Sequence, residues 1–243
     1  IIKKYVMKKL ALIFLLIVCL PVLAGDYGVY TPESYRYSSN EGERTLFILD
    51  FSNSMNEYLD GKRKVDLMLD TMKKLLPKIS QSSSIGLRVY GHRMGVTPFD
   101  MCRASTLLVP VGPRNGIAIE NSLSRTKPRG MTPITYSLKE AVKNDFLGFT
   151  GKKHIILLTD GGENCDESPC TYAMELIKVR KDVVIDVIAF NISNEDDLEQ
   201  LECTALVTSG KFYSADTEAD LVRSLNNSLN VKKDVEAKII TNP

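Results

Sequence analysis

The chain has little net charge, few histidines and no apolar run long enough to cross a bilayer. Its 31 Lys and Arg residues are balanced by 30 Asp and Glu residues, a formal net charge of +1, which excludes a nucleic-acid binder that depends on bulk positive charge. The unbroken apolar run at residues 10–20 is about half of the roughly 20 residues that a membrane-spanning helix needs. The chain has two histidines, His92 and His154, so few side chains are available for base catalysis near neutral pH.

Apolar residues, by contrast, are plentiful. They make up 44% of the 243 residues, which is too large a share for a disordered chain. This length suits one large domain or two small ones, and it is sufficient to bury a core without support from disulfides.

The first 24 residues have the layout of a secretory signal peptide. Two lysines follow Met7, the apolar run comes next, and small residues lead to a cleavage site after Ala24. We therefore predict a signal peptide at residues 1–24, with translation starting at Met7. The mature protein is then expected to be secreted or periplasmic, with no transmembrane helix.

Removal of this segment changes both the charge and the cysteine count. It takes away four lysines and no acidic residue, which leaves 27 basic and 30 acidic side chains and a net charge of −3. It also removes Cys19, whose use as a lipid anchor would require a small residue where Val18 stands. An even number of cysteines in an exported chain favours two disulfides, and the four that remain are Cys102, Cys165, Cys170 and Cys203.

Short apolar runs alternate with helical patterns along most of the mature chain. This alternation is typical of βαβ units and predicts an α/β fold of three layers, doubly wound and Rossmann-like, with a mostly parallel six-stranded sheet. The second and third runs have no helical pattern between them, which predicts a hairpin with one antiparallel edge strand. The predicted strands are residues 46–49, 85–90, 107–111, 155–158, 183–190 and 211–214.

Apolar residues spaced by three and four predict the helices that cover this sheet. The predicted helices are residues 65–79, 133–146, 171–181, 195–207 and 217–229. Residues 25–44 show neither the two-residue period of a strand nor the 3.6-residue period of a helix, and they are assigned to an N-terminal arm. One domain is predicted at residues 45–230, followed by a C-terminal tail at residues 231–243.

Five oxygen-bearing residues stand where predicted strands end or a predicted helix begins. Asp50, Ser52 and Ser54 occupy alternate positions after the first strand. Asp160 follows the fourth strand, and Thr132 stands at the head of a helix. In a doubly wound sheet, loops at the carboxyl ends of the two central strands meet at the switch point. Five oxygen ligands without nitrogen or sulfur describe a hard-cation site, so we predict Mg²⁺, with Mn²⁺ or Ca²⁺ as alternatives.

Each of the three segments also has a purely structural explanation. An Asp-x-Ser-x-Ser sequence commonly caps a helix, and Asp160 before two glycines is a turn sequence. Thr132 before Pro133 fits an N-cap followed by a proline at the first helical position. The prediction of a metal site rests on all three segments falling, in order, on one rim of the sheet.

At these residues the sequence resembles the von Willebrand factor A-type (vWA) domain, in a bacterial secreted branch. The resemblance covers about residues 44–230 and is carried by residues 87–93, 129–134 and 158–163. It implies that Ser52, Ser54 and Thr132 are hydroxyl ligands of a metal-ion-dependent adhesion site (MIDAS). Asp50 and Asp160 would bind the cation directly or through water. The resemblance also implies a sheet with one antiparallel edge strand.

Neutral hydroxyl ligands leave such a metal with uncompensated positive charge and an exchangeable position. The metal should then attract a carboxylate. The family resemblance implies the same chemistry, because it implies that an Asp or Glu of the ligand coordinates the cation. We therefore expect a divalent-cation-dependent protein-binding module for adhesion or interaction, whose unidentified protein partner presents Asp or Glu. Neither enzyme activity nor a nucleic-acid partner is expected.

Other functions remain open at this stage. A metal-assisted hydrolase would use the cation to activate water, with His92 or Glu163 as general base. His154 lies about 20 Å from Asp160 at ~3.3 Å per strand residue, too far to serve. A phosphatase of the haloacid-dehalogenase type would need a second Asp where Ser52 stands. An assembly or scaffold protein with a purely structural metal is the remaining alternative.

Two pairings of the four cysteines are compatible with this topology. Cys102 and Cys165 start from one rim, and Cys170 and Cys203 lie on neighbouring helices, which favours these two bridges. A local bridge between Cys165 and Cys170, with Cys102 joined to Cys203, is the alternative. Zinc binding is disfavoured because the spacing is loose.

Two further groups of residues have predicted roles. The basic run Lys62-Arg63-Lys64 at a helix start is expected to be a solvated surface. Ligand specificity is expected from side chains around the metal rim, which include Phe51, Asn53, Met55, His92 and Glu163.

Overall fold

The computed structural model describes residues 42–229. The predicted signal peptide, most of the predicted N-terminal arm and the C-terminal tail lie outside the described residues. Within this part of the chain, no helix is both long enough and apolar enough to span a membrane.

A mixed sheet of six strands lies at the centre of residues 42–229. In chain order the strands of this region are β1 (Arg44–Asp50), β2 (Tyr58–Leu59), β3 (Lys62–Arg63), β4 (Ser84–Tyr90), β5 (Ser105–Gly112), β6 (Lys153–Thr159), β7 (Val183–Phe190) and β8 (Phe212–Ala215). The six-stranded sheet has the order β5-β4-β1-β6-β7-β8, and the short strands β2 and β3 form a separate hairpin. The edge strand β5 runs antiparallel to β4, while the other neighbours are parallel, which confirms the predicted fold class.

Both faces of the sheet are covered, because every residue of β1 and β6 is buried. Successive side chains of a strand point to opposite faces. Accordingly, Phe47 and Leu49 belong to one apolar cluster, whereas Leu46 and Ile48 belong to another. The helices complete these two clusters and give the three layers that the alternating pattern predicts.

Seven α-helices occur in the described part of the chain. In chain order they are α1 (Lys64–Leu75), α2 (Pro98–Met101), α3 (Gly116–Leu123), α4 (Ile134–Glu140), α5 (Pro169–Val179), α6 (Glu195–Val207) and α7 (Glu218–Ser228). All five predicted helices are present, and α4 continues as a π-helical turn, Ala141–Asp145. After α1 comes a 3₁₀ turn, Leu76–Lys78, where Pro77 lacks the N–H that an α-helix needs. The structure adds α2, a single turn held by a capping box between Thr97 and Asp100, and α3.

The start of α4 differs from the prediction. Pro133, not Thr132, immediately precedes the helix, and no side-chain bond caps it from that position. Glu163 takes over the capping role, since its Oε2 accepts a hydrogen bond from the Thr135 N–H at 2.7 Å. The predicted N-cap at Thr132 is therefore wrong, and this threonine belongs to the loop before the helix.

Candidate metal centre

The carboxyl ends of β1 and β6 bring Asp50 and Asp160 to one place. The two strands are parallel neighbours, and one carboxylate ends β1 while the other follows β6. Asp50 is fully buried and Asp160 is 6% exposed. This is the point where the strand order reverses, which is where doubly wound sheets form their binding crevice.

A chain of hydrogen bonds joins the two carboxylates through Ser52 and Ser54. Asp50 Oδ1 accepts a hydrogen bond from the Ser52 N–H at 2.6 Å, and the two serine hydroxyls are 2.9 Å apart. The Ser54 hydroxyl then donates to Asp160 Oδ1 at 2.7 Å. The structure thus gathers four of the five predicted ligands into one hydrogen-bonded group.

The fifth predicted ligand, Thr132, lies in a loop that packs against the serine loop. Gly130, two residues earlier, forms a parallel bridge with Ser52. Its carbonyl accepts a hydrogen bond from the Asn53 N–H at 2.9 Å. Thr132 itself is buried, with an exposed fraction of 4%.

Gly91, directly after β4, permits the close approach of these two loops. It has a φ of +68°, and a Cβ at this position would lie 2.5 Å from the Ser52 nitrogen. Its carbonyl accepts hydrogen bonds from the N–H groups of Arg129, at 3.0 Å, and Gly130, at 2.7 Å. A side chain here would therefore strain the backbone and push the ligand-bearing loops apart.

The two buried carboxylates repel each other. Burial, followed by the charge of Asp160, raises the pKa of Asp50 from 3.8 to about 6, against the lowering effect of its hydrogen bonds. Burial also raises the pKa of Asp160, although the Ser54 hydroxyl and the Lys64 ammonium act in the opposite direction. A cation between the carboxylates would favour their ionised forms.

Lys64 is a third charged group at this centre, which the sequence analysis missed. Its side chain is 6% exposed, and its ammonium lies 3.1 Å from Asp160 Oδ2 and 3.1 Å from Glu57 Oε2. The predicted solvated surface is therefore wrong for Lys64, whereas Lys62 and Arg63 are 53% and 43% exposed. The buried stripe of α1 begins at Lys64, and nothing in a run of three basic residues indicates which one turns inward.

The donor set of this centre fits a divalent cation. Carboxylate and hydroxyl oxygens are the ligands that Mg²⁺ and Mn²⁺ prefer. Within residues 42–229 no group of three or more His, Cys, Asp and Glu side chains is arranged to hold a metal, so an ion here would depend on the hydroxyls. Tyr90, which is fully buried and pairs in register with Asp50, interacts through its side chain with Asp50 and Thr159.

Two of the predicted rim residues belong to the core instead. Phe51 and Met55 have no exposed surface and join the apolar cluster that contains Leu49. Phe51 continues the alternation of β1 by one residue, so it faces the same side as Leu49. The prediction that these two side chains face a ligand is wrong, while Asn53 is exposed as expected.

The two candidate general bases are in different surroundings. Both carboxylate oxygens of Glu163 are occupied, one by the Thr135 N–H and the other by the Cys165 N–H at 3.0 Å, so this side chain holds its loop. Burial, followed by the charge of Arg93, lowers the pKa of His92 to about 4. His92 is therefore a neutral and weak base at pH 7.

His154 lies at the opposite end of β6 from Asp160, as its sequence position predicts. Its Nε2 is 3.1 Å from Asp186 Oδ2, and its Nδ1 is 3.1 Å from Glu43 Oε1. Asp186 also accepts a hydrogen bond from the Ser228 hydroxyl at 2.7 Å. His154, Asp186 and Ser228 form a buried polar cluster with the exposed Glu43 at its edge, and His154 lies at the other end of β6 from the candidate metal centre.

Two disulfides fasten the elements around the centre. Cys102 is bridged to Cys165 and Cys170 to Cys203, so the structure has the pairing that the topology favoured. The first bridge links the residue after α2 to the loop that follows Asp160. The second links α5 to α6, and together they hold the Asp160 loop on both sides.

Comparisons with known proteins agree with this architecture. The family model of the von Willebrand factor type A domain matches residues 46–228. The uncharacterized protein YwmD of Bacillus subtilis (strain 168) is 29% identical over 204 residues, which cover 80% of this chain and 90% of that protein. The uncharacterized protein YwmC of the same organism is 30% identical over 178 residues, 72% of this chain and 77% of that protein.

Solved structures share the fold at low sequence identity. A von Willebrand factor type A protein from Catenulispora acidiphila has a TM-score of 0.61 at 15% identity, over 76% of this chain and 41% of that one. Proximal thread matrix protein 1 from the mussel byssus has a TM-score of 0.58 at 20% identity, over 77% and 45%, and one of its structures has a zinc-occupied MIDAS motif. The pilus adhesin SpaC from Lactobacillus rhamnosus GG has a TM-score of 0.59 at 15% identity, over 76% and 29%. The chain thus spans less than half of each of these solved proteins.

The family match covers nearly all of the described residues, and the sheet with one antiparallel edge strand is the fold that these solved structures share. The chain belongs to the von Willebrand factor type A domain family.

Proposed function

We propose that this chain is an exported, divalent-cation-dependent protein-binding module whose metal coordinates an acidic side chain of a partner. The observation that carries the proposal is the pair of buried carboxylates, Asp50 and Asp160, linked through two serine hydroxyls at the rim of the sheet. Lys64 offsets only one of these two buried negative charges, and a divalent cation between the carboxylates would favour the ionised form of both. The likeness to a pilus adhesin and a matrix protein supports an interaction role.

The cation we propose is Mg²⁺, which binds hard oxygen ligands, and Mn²⁺ or Ca²⁺ would suit the same donor set. When bound, it would supply a Lewis-acidic centre with a position open to a carboxylate. The zinc-occupied motif of the mussel protein supports a divalent ion at this kind of site. The residues that would hold it are Asp50, Ser52, Ser54, Thr132 and Asp160.

The loop after β4, together with α2, offers an apolar contact surface beside this centre. Met94, Val96 and Phe99 are 74%, 99% and 65% exposed, and the guanidinium of Arg103 lies 4.5 Å from the centre of the Phe99 ring. Exposed apolar side chains gain free energy when a partner covers them. A partner segment with an acidic residue flanked by apolar side chains would therefore complement this surface.

The same loop is fastened to both carboxylate-bearing segments. At its start Gly91 packs against the Ser52 backbone, and just after α2 the Cys102 disulfide reaches the loop that follows Asp160. The apolar surface and the candidate metal centre are thus held in one fixed arrangement, which favours a single partner segment that contacts both.

A binding role fits this centre better than hydrolysis. A hydrolase needs a general base within reach of the activated water, yet the oxygens of Glu163 accept backbone hydrogen bonds and His92 has a pKa of about 4. The proposed module is therefore not an enzyme. A scaffold protein with a purely structural metal is the second candidate, and the experiment below separates it from adhesion.

Export is supported by two independent features. The predicted signal peptide at residues 1–24 would direct the chain out of the cytoplasm, and disulfides persist in oxidising compartments. The proposed location is therefore secreted or periplasmic, with the binding domain at residues 45–230.

The decisive experiment compares metal binding, partner capture and stability in matched variants. Mg²⁺ binding is measured by titration calorimetry, and partner capture by pull-down from a cell-envelope extract with Mg²⁺ or with EDTA. We expect Asp50→Ala and Thr132→Ala to lose both, while Asp70→Ala, an exposed acid on α1, keeps both. If the two site variants lose thermal stability as severely as they lose capture, the metal is structural and the adhesion proposal fails.

A further inference from the structure

Lys64 differs from its neighbours in being buried against a candidate metal ligand. Its side chain is 6% exposed, whereas that of Lys62 is 53% exposed. The Lys64 ammonium donates a hydrogen bond to Asp160 Oδ2 at 3.1 Å. Its other partner, Glu57, has a side chain that is 65% exposed, so water screens that charge. The dominant interaction of Lys64 is therefore with Asp160.

Both oxygens of Asp160 are occupied by protein donors. Ser54 donates to Oδ1 at 2.7 Å and Lys64 to Oδ2 at 3.1 Å. The Asp160 side chain has no exposed surface. Loss of the partner of a buried charge lowers the stability of a protein far more than loss of the partner of an exposed charge. The lysine thus holds the carboxylate in one orientation, with its other oxygen facing Ser54.

We propose that Lys64 is a resident counter-ion of Asp160 that weakens metal binding and strengthens the capture of an acidic ligand. This inference rests on the proposed metal site. The carboxylates of Asp50 and Asp160 carry two negative charges and Lys64 one positive charge, so a bound divalent ion leaves the buried group with one net positive charge. The carboxylate of a partner brings that sum to zero.

Removal of the lysine reverses this preference. Without Lys64, the divalent ion alone neutralises the two carboxylates. A ligand carboxylate then adds a net negative charge to a buried group, which opposes its binding. Lys64 is therefore a positioning residue that acts on both ligands through Asp160, and its loss should move the two affinities in opposite directions.

Lys64 and the metal also stabilise the same carboxylate, which couples them. In the metal-free protein, loss of Lys64 leaves Asp160 without a counter-ion, whereas in the metal-bound protein the ion still offsets its charge. The loss should therefore destabilise the metal-free state more than the metal-bound state. By thermodynamic linkage, that difference appears as tighter metal binding.

The test compares Lys64→Met with Lys62→Met, which removes the same charge from an exposed cluster with Asp70 and Glu218. Mg²⁺ affinity is measured by titration calorimetry, and thermal unfolding is measured in EDTA and in excess Mg²⁺. We expect Lys64→Met to bind Mg²⁺ roughly tenfold more tightly and to lose thermal stability mainly in EDTA. Lys62→Met should behave like the wild type in both measurements.

Acetate serves as the probe for the carboxylate of a partner. At matched ionic strength, acetate should raise the apparent Mg²⁺ affinity of the wild type, because it completes the charge balance. The same addition should leave the Mg²⁺ affinity of Lys64→Met unchanged. If Lys64 had a merely structural role, its loss would not strengthen Mg²⁺ binding and at the same time abolish the effect of acetate.

Two more variants keep the test decisive if Lys64→Met does not fold. Lys64→Gln keeps a hydrogen-bond donor without the charge and should share the tighter Mg²⁺ binding, whereas Lys64→Arg keeps the charge and should bind like the wild type. Unchanged or weaker Mg²⁺ binding by folded Lys64→Gln would overturn the counter-ion role and leave the metal site standing. A wild type that binds no Mg²⁺ would overturn the proposed function, and the inference with it.

Discussion

The backbone N–H of Thr132 donates a hydrogen bond to the side chain of Asn164 at 2.7 Å. This bond ties the loop before α4 to the loop that follows Asp160. Glu163 repeats the connection from the neighbouring position, since it accepts a hydrogen bond from the Thr135 N–H. The position of Thr132, one candidate ligand, thus depends on side chains in the loop that follows Asp160, another candidate ligand.

The first prediction concerns Asn164, whose side chain accepts the hydrogen bond from the Thr132 backbone. Asn164→Ala should weaken Mg²⁺ binding roughly fivefold, because one lost hydrogen bond costs about 1 kcal/mol and frees the Thr132 loop. Titration calorimetry measures the change. Asn121→Ala, at an exposed position on α3, is the control, and equal Mg²⁺ affinity in both variants would contradict the prediction.

The second prediction concerns the pH dependence of stability in the metal-free protein. The pKa of Asp50 in the folded state, about 6, lies above its ordinary value of 3.8, so folding favours the protonated form. The resulting stabilisation, on the order of 3 kcal/mol, is complete below pH 3.8 and is lost as the pH rises through about 6. Excess Mg²⁺ should remove this loss, because the ion favours the ionised carboxylate.

Urea unfolding of metal-free protein at several pH values between about 4 and 7 tests this dependence. Asp160 and Glu163 also have raised pKa values, so the wild type is compared with Asp50→Asn, which retains both. The difference between the two curves gives the contribution of Asp50 together with its electrostatic coupling to Asp160. Parallel curves over the whole range would show that Asp50 does not titrate there.

The third prediction concerns the apolar surface beside the candidate metal centre. Phe99→Ser should reduce partner capture roughly tenfold and leave Mg²⁺ affinity unchanged, because Phe99 is 65% exposed and large aromatic side chains often dominate an interface. Leu147→Ser is the matched control. Leu147 is 77% exposed, but it precedes β6, whereas Asp160 follows that strand. A similar loss of capture in both variants would contradict a contact at Phe99.

The fourth prediction concerns a buried ion pair away from the centre. Arg88 donates two hydrogen bonds to Asp145, at 2.6 and 2.7 Å, and their side chains are 5% and 2% exposed. Asp145→Asn should lower the free energy of unfolding by about 3–5 kcal/mol, because it leaves a buried guanidinium without its counter-charge. Denaturant unfolding measures this. Glu218→Gln, which breaks an exposed pair with Lys74, should change stability little.

The main elements of the fold could be predicted from local periodicity. The strand Val183–Phe190 and the helix Glu195–Val207 have the predicted bounds, because their apolar residues repeat at the spacing of each structure. The short helix α2 could not be predicted in this way. It is one turn long, has no buried residue and is held by the Thr97 and Asp100 caps.

The candidate site could be predicted only in part. The positions of Asp50 and Asp160 at strand ends follow from the alternating pattern, and the parallel pairing of β1 with β6 brings them together. The prediction for Phe51 is wrong because nearness to a ligand in the sequence does not make a side chain face it, and the alternation of β1 places Phe51 on the side of Leu49. Met55 lies in a 3₁₀ turn, Asn53–Asn56, and its burial in the core depends on tertiary packing. The sequence Thr132-Pro133 also favours a helix cap at Thr132, whereas α4 is capped by Glu163, a residue too distant in the sequence for a local pattern to indicate.

The sequence by itself determined which oxygen-bearing residues stand at the ends of which elements. The apolar periodicity that predicts an element and the polar residues that follow it are both local features of the chain. Only the tertiary structure decided which charges meet there. Lys64 is one of three consecutive basic residues, and the folded chain buries it at the first position of α1 and brings it into contact with Asp160, 96 residues later. A contact of this kind depends on the orientation of a packed helix, which no run of neighbouring residues encodes.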